Sequence, residues 1–360
     1  MNGTVKVGII GCGGIANGKH MPALTKIPEA RMAAFCDIYE NRAYRAAKDY
    51  GIPGSKTYSD YRDLLADQSI DAVHVCTPNK SHSFITVDAL NAGKHVLCEK
   101  PMAKTYAEAV KMLEASRSAG KLLSIGYQNR YRADCAYLKQ ACERGDLGEV
   151  YFAKAHAVRR RKVPTRGIFL NGGEQGGGPL IDIGAHALDL TLWLMDNYAP
   201  KSVSGAVYKK LNDNGLCGNA FGPWRPEDFT AEDSAFGFIT MKNGAAIFLE
   251  SSWALNTLDE GEAIATLCGT KAGADMRDGL RVNFDEFDRL VVKKPDLAAA
   301  EAAYTEGVYQ SPRDIEQRVF YDAVLYGKPL TVLPEQAAVV TQVLEAIYKS
   351  ARTGQQVNFI

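Results

Sequence analysis

The chain carries no surplus of charge: in 360 residues, Lys and Arg together number 42, and so do Asp and Glu. A protein built to bind nucleic acid normally shows a basic excess, so no nucleic-acid partner is expected. Long apolar runs are absent as well. None could span a bilayer, which excludes a membrane-spanning role. Met1-Asn2-Gly3 passes straight into a strand-like run, so no signal peptide is expected. The eight cysteines are scattered, without one C-x-x-C pair, and Cys36, Cys76 and Cys98 lie inside apolar runs. Buried thiols in a reducing cytoplasm are the expectation, not a disulfide framework, and no metal site is expected. What is present is ordinary for a globular protein: 46% hydrophobic and 23% charged residues, in a chain long enough for two domains.

Up to about residue 126, short apolar runs alternate with helical patterns. Val5–Ile10, Arg31–Asp37, Ala72–Thr77, His95–Glu99 and Leu122–Tyr127 read as strands. The stretches 19–25, 41–50, 59–66, 84–92 and 106–118 read as helices. Alternation at this pitch predicts a parallel, doubly wound sheet, hence an α/β dinucleotide-binding domain over 1–126. Beyond Tyr127 the rhythm changes. A helix at 132–144 and a strand at 150–158 precede a basic stretch, Arg159 to Lys162, and a glycine-rich loop, Gly172 to Gly178. An apolar helix follows over 180–195. Strand-like runs come at 202–208, 235–241, 245–253 and 263–268, with Lys242-Asn243-Gly244 as a hairpin turn. Strands in succession predict a mainly antiparallel sheet, so residues 127–360 form an α+β substrate-binding and oligomerisation domain. Two helices, 312–326 and 334–352, end the chain, and the last is expected to pack back on the first domain.

Gly11-Cys12-Gly13-Gly14-Ile15-Ala16 fits G-x-G-x-x-A directly after the first strand. Glycines there allow a tight turn and a close approach of backbone to a pyrophosphate at a helix N-terminus. A lone motif of this kind is equally a plain strand-to-helix turn. Asp37, at the end of the second strand, stands where a ribose hydroxyl would be bound, and a carboxylate there repels a 2′-phosphate. NAD is therefore favoured over NADP, with Arg42 and Arg45 just downstream read as a solvated helix face. Thr77, Pro78, Asn79 and His82 follow a strand whose end opens toward the cofactor crevice, and Asn79 also suits a helix cap. Glu99, Lys100 and Gln128 complete the cofactor-facing set.

The chemistry rests on three residues. Lys100 follows an apolar strand, in Glu99-Lys100-Pro101, and should emerge at the carboxyl end of the sheet. Asp182, His186 and Asp189 fall at i, i+4 and i+7 in an otherwise apolar helix, so one stripe carries all three. Burying them without partners would cost several kcal/mol each, about the price of any orphaned charge, so the stripe faces a partner or a cavity. Oxidation of an alcohol needs hydride loss from carbon and proton loss from oxygen. An unperturbed imidazole has the right range for the proton, so His186 is the candidate base, Asp182 would orient it, and Lys100 would stabilise the developing alkoxide.

These residues resemble the glucose–fructose oxidoreductase/inositol dehydrogenase (Gfo/Idh/MocA) family over essentially the whole chain. The resemblance is carried by the opening glycine-rich turn, by Ala92-Gly93-Lys94-His95-Val96-Leu97-Cys98-Glu99-Lys100-Pro101, and by Gly176-Gly177-Gly178-Pro179-Leu180-Ile181-Asp182-Ile183-Gly184-Ala185-His186. It implies a Rossmann domain followed by an open antiparallel-sheet domain, a nicotinamide cofactor, and a homodimer or homotetramer formed through the sheets. It implies Lys100, Asp182 and His186 as the catalytic residues and polyhydroxylated rings as substrates. Arg130, Arg160, Arg166 and Trp253 are the further substrate contacts expected, arginine through its planar fork and tryptophan through its apolar face. The leading reading is a dehydrogenase of sugars, glycosides or cyclitols. One alternative is redox-neutral glycoside cleavage through transient oxidation, which needs another base (Asp189, His156 or a tyrosine). The other is a non-catalytic NAD sensor.

Overall fold

Six short runs rich in Val, Ile, Ala and Cys build the first sheet: β1 (Val5–Ile10), β2 (Ala30–Cys36), β3 (Lys56–Tyr58), β4 (Ala72–Val75), β5 (His95–Cys98) and β6 (Leu123–Ile125). All pair in parallel, in the order β3-β2-β1-β4-β5-β6. The order reverses between β1 and β4, and in such sheets the crevice at the carboxyl ends beside the reversal binds ligand. The computed structural model describes residues 3–213, 218–297 and 311–359. Its compact units are Met1–Tyr131 with Ala302–Ala338, and Arg132–Glu301 with Val339–Ile360.

The first unit thus extends past residue 126 and takes in a distant helix, Pro312–Tyr326, whose Phe320 and Tyr321 lie in the core with Val7, Ile9, Met21 and Phe35. That helix belongs to the first unit through its core, and the last one is divided, with its residues up to Ala338 in the first unit and those from Val339 in the second. In helix Pro334–Thr353, Ile347 packs where a Cβ on Gly205 or Gly237 would stand, at 2.8 and 2.6 Å, within the second unit's sheet. Strand β3 was not expected. Its three residues, Lys-Thr-Tyr, are exposed or half-buried at the sheet edge and carry no apolar run to read.

The second sheet has nine strands: β7 (Val150–Val158), β8 (Pro200–Tyr208), β9 (Ser234–Met241), β10 (Ala246–Ser252), β11 (Gly261–Gly269), β12 (Ala272–Asp275), β13 (Arg281–Glu286), β14 (Arg289–Lys293) and β15 (Val357–Asn358). The order is β14-β13-β12-β11-β7-β10-β9-β8-β15. Only β7 and β10 are parallel; the other neighbours run antiparallel. The segment Leu180–Met195 lies across β7 and β11 as a π-turn (Leu180–Gly184) leading into an α-helix (Ala185–Met195). Its close approach needs Gly184, where a Cβ would stand 2.9 Å from the Ser251 hydroxyl. No helix among the described residues is long and apolar enough to cross a membrane.

Candidate active site

In the first unit the glycine-rich turn leaves β1 with Gly11 at φ +91°, and a Cβ there would stand 2.8 Å from the main chain of Cys76. Only glycine fits that left-handed, crowded position. Asn17 closes the turn, donating to the carbonyls of Cys12 (2.9 Å) and Gly13 (2.8 Å). Nothing stands within 4 Å of a Cβ placed on Gly13 or Gly14, and Ile15 is 42% exposed, so this side of the turn is open. Ala16 is fully buried behind it. Asp37 accepts the Cys12 N–H on Oδ2 and the Tyr39 N–H on Oδ1, both at 2.9 Å. Each carboxylate oxygen keeps a second lone pair, so Asp37 pins the turn and still has room for a ribose hydroxyl. Gln128 opens a 3-10 turn after β6, and its Oε1 is buried with no hydrogen-bond donor among the described residues. An open glycine turn and an orphaned acceptor at one sheet end fit a dinucleotide: Gly11–Ala16 would hold its pyrophosphate and Asp37 its ribose.

Lys100 emerges half-buried from the end of β5, and its main-chain N–H donates to Glu99 Oε2 at 3.1 Å. Glu99 faces inward: Oε1 lies 2.7 Å from Lys19 Nζ and 2.8 Å from His20 Nε2. Burial opposes its charge, but Lys19 and His20 overcome that and hold it well below the usual carboxylate range. At the end of β4, Thr77 accepts from the Ser81 hydroxyl at 2.9 Å, while Pro78 is exposed and Asn79 half-buried. His82 is 1% exposed, with Nδ1 2.7 Å from the Pro101 carbonyl and Nε2 2.9 Å from that of Thr77. It braces two loops, with both ring nitrogens facing main chain. Arg130 is 1% exposed and donates to the Thr331 carbonyl (2.9 Å) and to Gln336 (2.6 Å), tying the first unit together.

In the second unit Asp182 lies in the π-turn and His186 in the first turn of the α-helix, both half-buried, while Asp189 is 1% exposed. A π-turn widens the helix locally and recurs at functional sites. The stripe expected of all three therefore divides. Asp182 and His186 reach the surface, and Asp189 turns into the core. The segment's N-terminal amides are capped from elsewhere. Glu232 Oε1 accepts the Leu180 N–H at 3.3 Å and the Tyr348 hydroxyl at 2.7 Å, and Ser251 donates to the Pro179 carbonyl at 2.8 Å. Glycine is required at 177 and 178 because a Cβ would overlap Tyr348 and Glu232.

Trp253 is fully buried, and its indole N–H donates to Asp182 Oδ2 at 3.1 Å. Phe229 packs tilted against it and Trp224 meets Phe229 edge to face, at ring separations of 6.1 and 5.9 Å. The tryptophan expected to contact substrate thus orients a carboxylate, and the loop holding Trp224 packs onto it. Arg160 and Arg166 are exposed. The arginine that sequence reasoning passed over is Arg159, whose guanidinium grips Glu262 at 2.8 Å through two nitrogens and which feels the charge of Asp182. Both arginines lie just past the end of β7, where Arg159 is half-buried and Arg160 exposed, so one residue decides which lies near Asp182.

Comparison with known proteins agrees with this architecture. Residues 5–127 match the family model described as "Oxidoreductase family, NAD-binding Rossmann fold", and residues 135–275 match the GFO/IDH/MocA C-terminal domain. The chain is 33% identical to the D-glucoside 3-dehydrogenase of Escherichia coli (strain K12) over 354 residues, 98% of this chain and 97% of that one. The inositol 2-dehydrogenase of Salmonella typhimurium is 33% identical over 162 residues, 45% of this chain and 48% of its own. Among solved structures, levoglucosan dehydrogenase in complex with NADH superposes with a TM-score of 0.82 at 22% identity, covering 99% of each chain, which speaks for the fold alone. With both domain models matched and a full-length relative at 33% identity, the chain belongs to the GFO/IDH/MocA family of oxidoreductases with an NAD-binding Rossmann domain.

Proposed function

We propose that this protein oxidises a ring hydroxyl of a sugar, glycoside or cyclitol with NAD, and that Lys100, Asp182 and His186 carry the reaction. The observation that carries this reading is the half-buried Asp182–His186 segment, with Asp182 oriented by the Trp253 indole, in a chain similar along its length to a D-glucoside 3-dehydrogenase. NAD, when bound, supplies the hydride acceptor. His186 takes the hydroxyl proton, since its unperturbed range lies near neutrality. Asp182 favours the charged imidazole that results, and its hydrogen bond from Trp253 keeps the carboxylate in one rotamer. Lys100 donates to the oxygen as it gains negative charge. The redox-neutral alternative gains nothing here, because Asp189 and His156 are 1% and 2% exposed.

NADH formation by the purified protein across monosaccharides, cyclitols and aryl glycosides, with aglycone release followed in the same wells, tests the reading. NADH should accumulate with a subset of them, and Lys100→Ala and His186→Ala should lower turnover by about a thousandfold or more while NAD still binds. Aglycone release without NADH would replace dehydrogenation by redox-neutral cleavage. Near-normal turnover in either variant would remove that residue from the mechanism.

A homodimer through the second sheet is part of the proposal. One face of β7, β10, β9 and β8 presents Phe152, Phe248, Phe236, Phe238 (48% exposed) and Tyr208 (43% exposed). Such an aromatic patch suits a second copy of the chain. Light scattering after gel filtration should give twice the chain mass or a multiple of it, and Phe238→Glu should give a monomer. A wild-type monomer would end this part of the proposal.

A further inference from the structure

Beneath the Lys100 turn runs a set of buried polar groups that the chemistry above leaves unused. Lys19 and His20 come from the π-turn Ala16–His20 behind the glycine loop, His74 from β4, Glu99 from the end of β5, and Glu316, Gln317 and Tyr321 from helix Pro312–Tyr326. None is more than 5% exposed. Tyr321 Oη lies 2.8 Å from His74 Nε2, His74 Nδ1 lies 2.8 Å from His20 Nδ1, and His20 Nε2 lies 2.8 Å from Glu99 Oε1. These contacts run one way. An ionised Glu99 only accepts, so His20 carries its hydrogen on Nε2 and accepts on Nδ1 from His74, which accepts on Nε2 from the Tyr321 hydroxyl. A second proton on His20 would force His74 into its other tautomer and make the Tyr321 hydroxyl an acceptor, reversing the chain. Burial pushes both imidazoles below their ordinary range, in agreement.

With both histidines neutral, three charged groups remain, and they do not balance. Lys19 Nζ lies 2.7 Å from Glu99 Oε1 and 2.8 Å from Glu316 Oε2, so two carboxyls share one ammonium. Glu99 has further donors in His20 and the Lys100 N–H. Glu316 has the ion pair with that ammonium alone, and neither of its oxygens makes a hydrogen bond among the described residues. Arg313, on the same helix, donates to the Gly18 carbonyl and acts on Glu316 only through its field. Arg130, on the 3-10 turn packed against that helix, donates to Thr331 and Gln336. A buried pair of acids beside one cation keeps a proton, and it rests on the acid with fewer donors.

We propose that Glu316 holds the exchangeable proton of this cluster, and that Glu316, Lys19 and His20 are positioning residues for Lys100, acting through the Glu99 carboxylate that clamps its amide. The inference rests on the assignment of Lys100 to the reaction. It links the helix behind the cofactor turn, the end of β5 and a helix from more than two hundred residues downstream into one electrostatic unit. Burial raises the Glu316 carboxyl to about 7, with Lys19 opposing and the charge of Glu99 adding to the rise. The folded state therefore holds a proton that the unfolded chain releases. Stability supplied by that proton is present in acid and is lost as pH climbs from the ordinary carboxyl range through about 7.

Glu316→Gln keeps the side-chain shape and removes the titration, and Glu316→Asp restores a carboxyl. The full-length protein is followed in two ways over about pH 5 to 8: by thermal unfolding, and by kcat/KM on a substrate found in the panel. Wild type should lose stability relative to Glu316→Gln as the pH rises. Beside the step expected of the proton-accepting imidazole in every variant, its kcat/KM should show a second transition near neutrality that is absent in Glu316→Gln and returns in Glu316→Asp. Unfolding midpoints that stay parallel across the range would overturn the proton on Glu316. Midpoints that diverge while the kcat/KM profiles superimpose would overturn the positioning role. If Lys100→Ala keeps turnover, the Lys100 assignment and the positioning role fall together, and the unfolding comparison still judges the proton.

Discussion

Two carboxyls of nearly equal burial, Glu99 at 5% and Glu232 at 3% exposure, each stand at the start of a segment that carries motif residues. They end in opposite charge preferences. Around Glu99, burial is outweighed by the Lys19 ammonium and the His20 imidazole, and its carboxyl is held well below the usual range. Around Glu232 the partners are neutral, the Tyr348 hydroxyl and the Leu180 amide, and burial pushes the carboxyl up. Depth alone therefore does not set the charge of a buried acid; the set of cations and donors around it does, since Glu316, which has only a share of the Lys19 ammonium, is pushed up while Glu99, with Lys19, His20 and the Lys100 amide, is held low. The consequence for the protein is a Lys100 turn supported ionically and an Asp182–His186 segment supported by neutral donors.

The largest test of that contrast removes the cation. Lys19→Met leaves Glu99 buried without its ammonium and should cost about 3–5 kcal/mol at neutral pH, read by chemical denaturation. A folded carboxyl held low contributes stability above the ordinary carboxyl range and loses it as the pH falls, so the penalty should shrink in acid. A loss under about 1 kcal/mol, the scale of an exposed ion pair, would break the comparison. Glu232→Gln should cost less, about 1–2 kcal/mol, because the site already tolerates an uncharged carboxyl and only hydrogen bonds are disturbed. Its pH trend has the opposite sign. A carboxyl raised in the folded state stabilises in acid and loses that contribution as pH rises, so the variant should gain on wild type toward neutral pH. Penalties that follow pH in the same direction for both variants would show that the two sites are supported alike.

Much of the architecture was legible because it is local. The glycine turn at 11–16, the parallel alternation up to β6, the hairpin at Lys242–Gly244 and the helix over 312–326 all carry their pattern within a few residues. Strands β13 and β14 were not legible. Their faces are largely exposed, with Leu290 at 94%, and their turn places Phe287 and Asp288 at φ +52° and +56° without the Asn-Gly signal such a turn usually shows.

The sequence by itself determined the order of elements, the position of the cofactor turn and the three catalytic candidates, because spacing along one strand or one helix is enough to specify them. Only the tertiary structure decided what the surrounding side chains do. Arg130 became an internal tie, His82 a brace and Trp253 the donor to Asp182, while Arg159 and not Arg160 came under the charge of Asp182. The balance at Lys100 depends on Lys19, Glu99 and Glu316, which are far apart in the chain and meet within 2.8 Å. A charge takes its character from the partners that folding brings to it, and no local pattern names them.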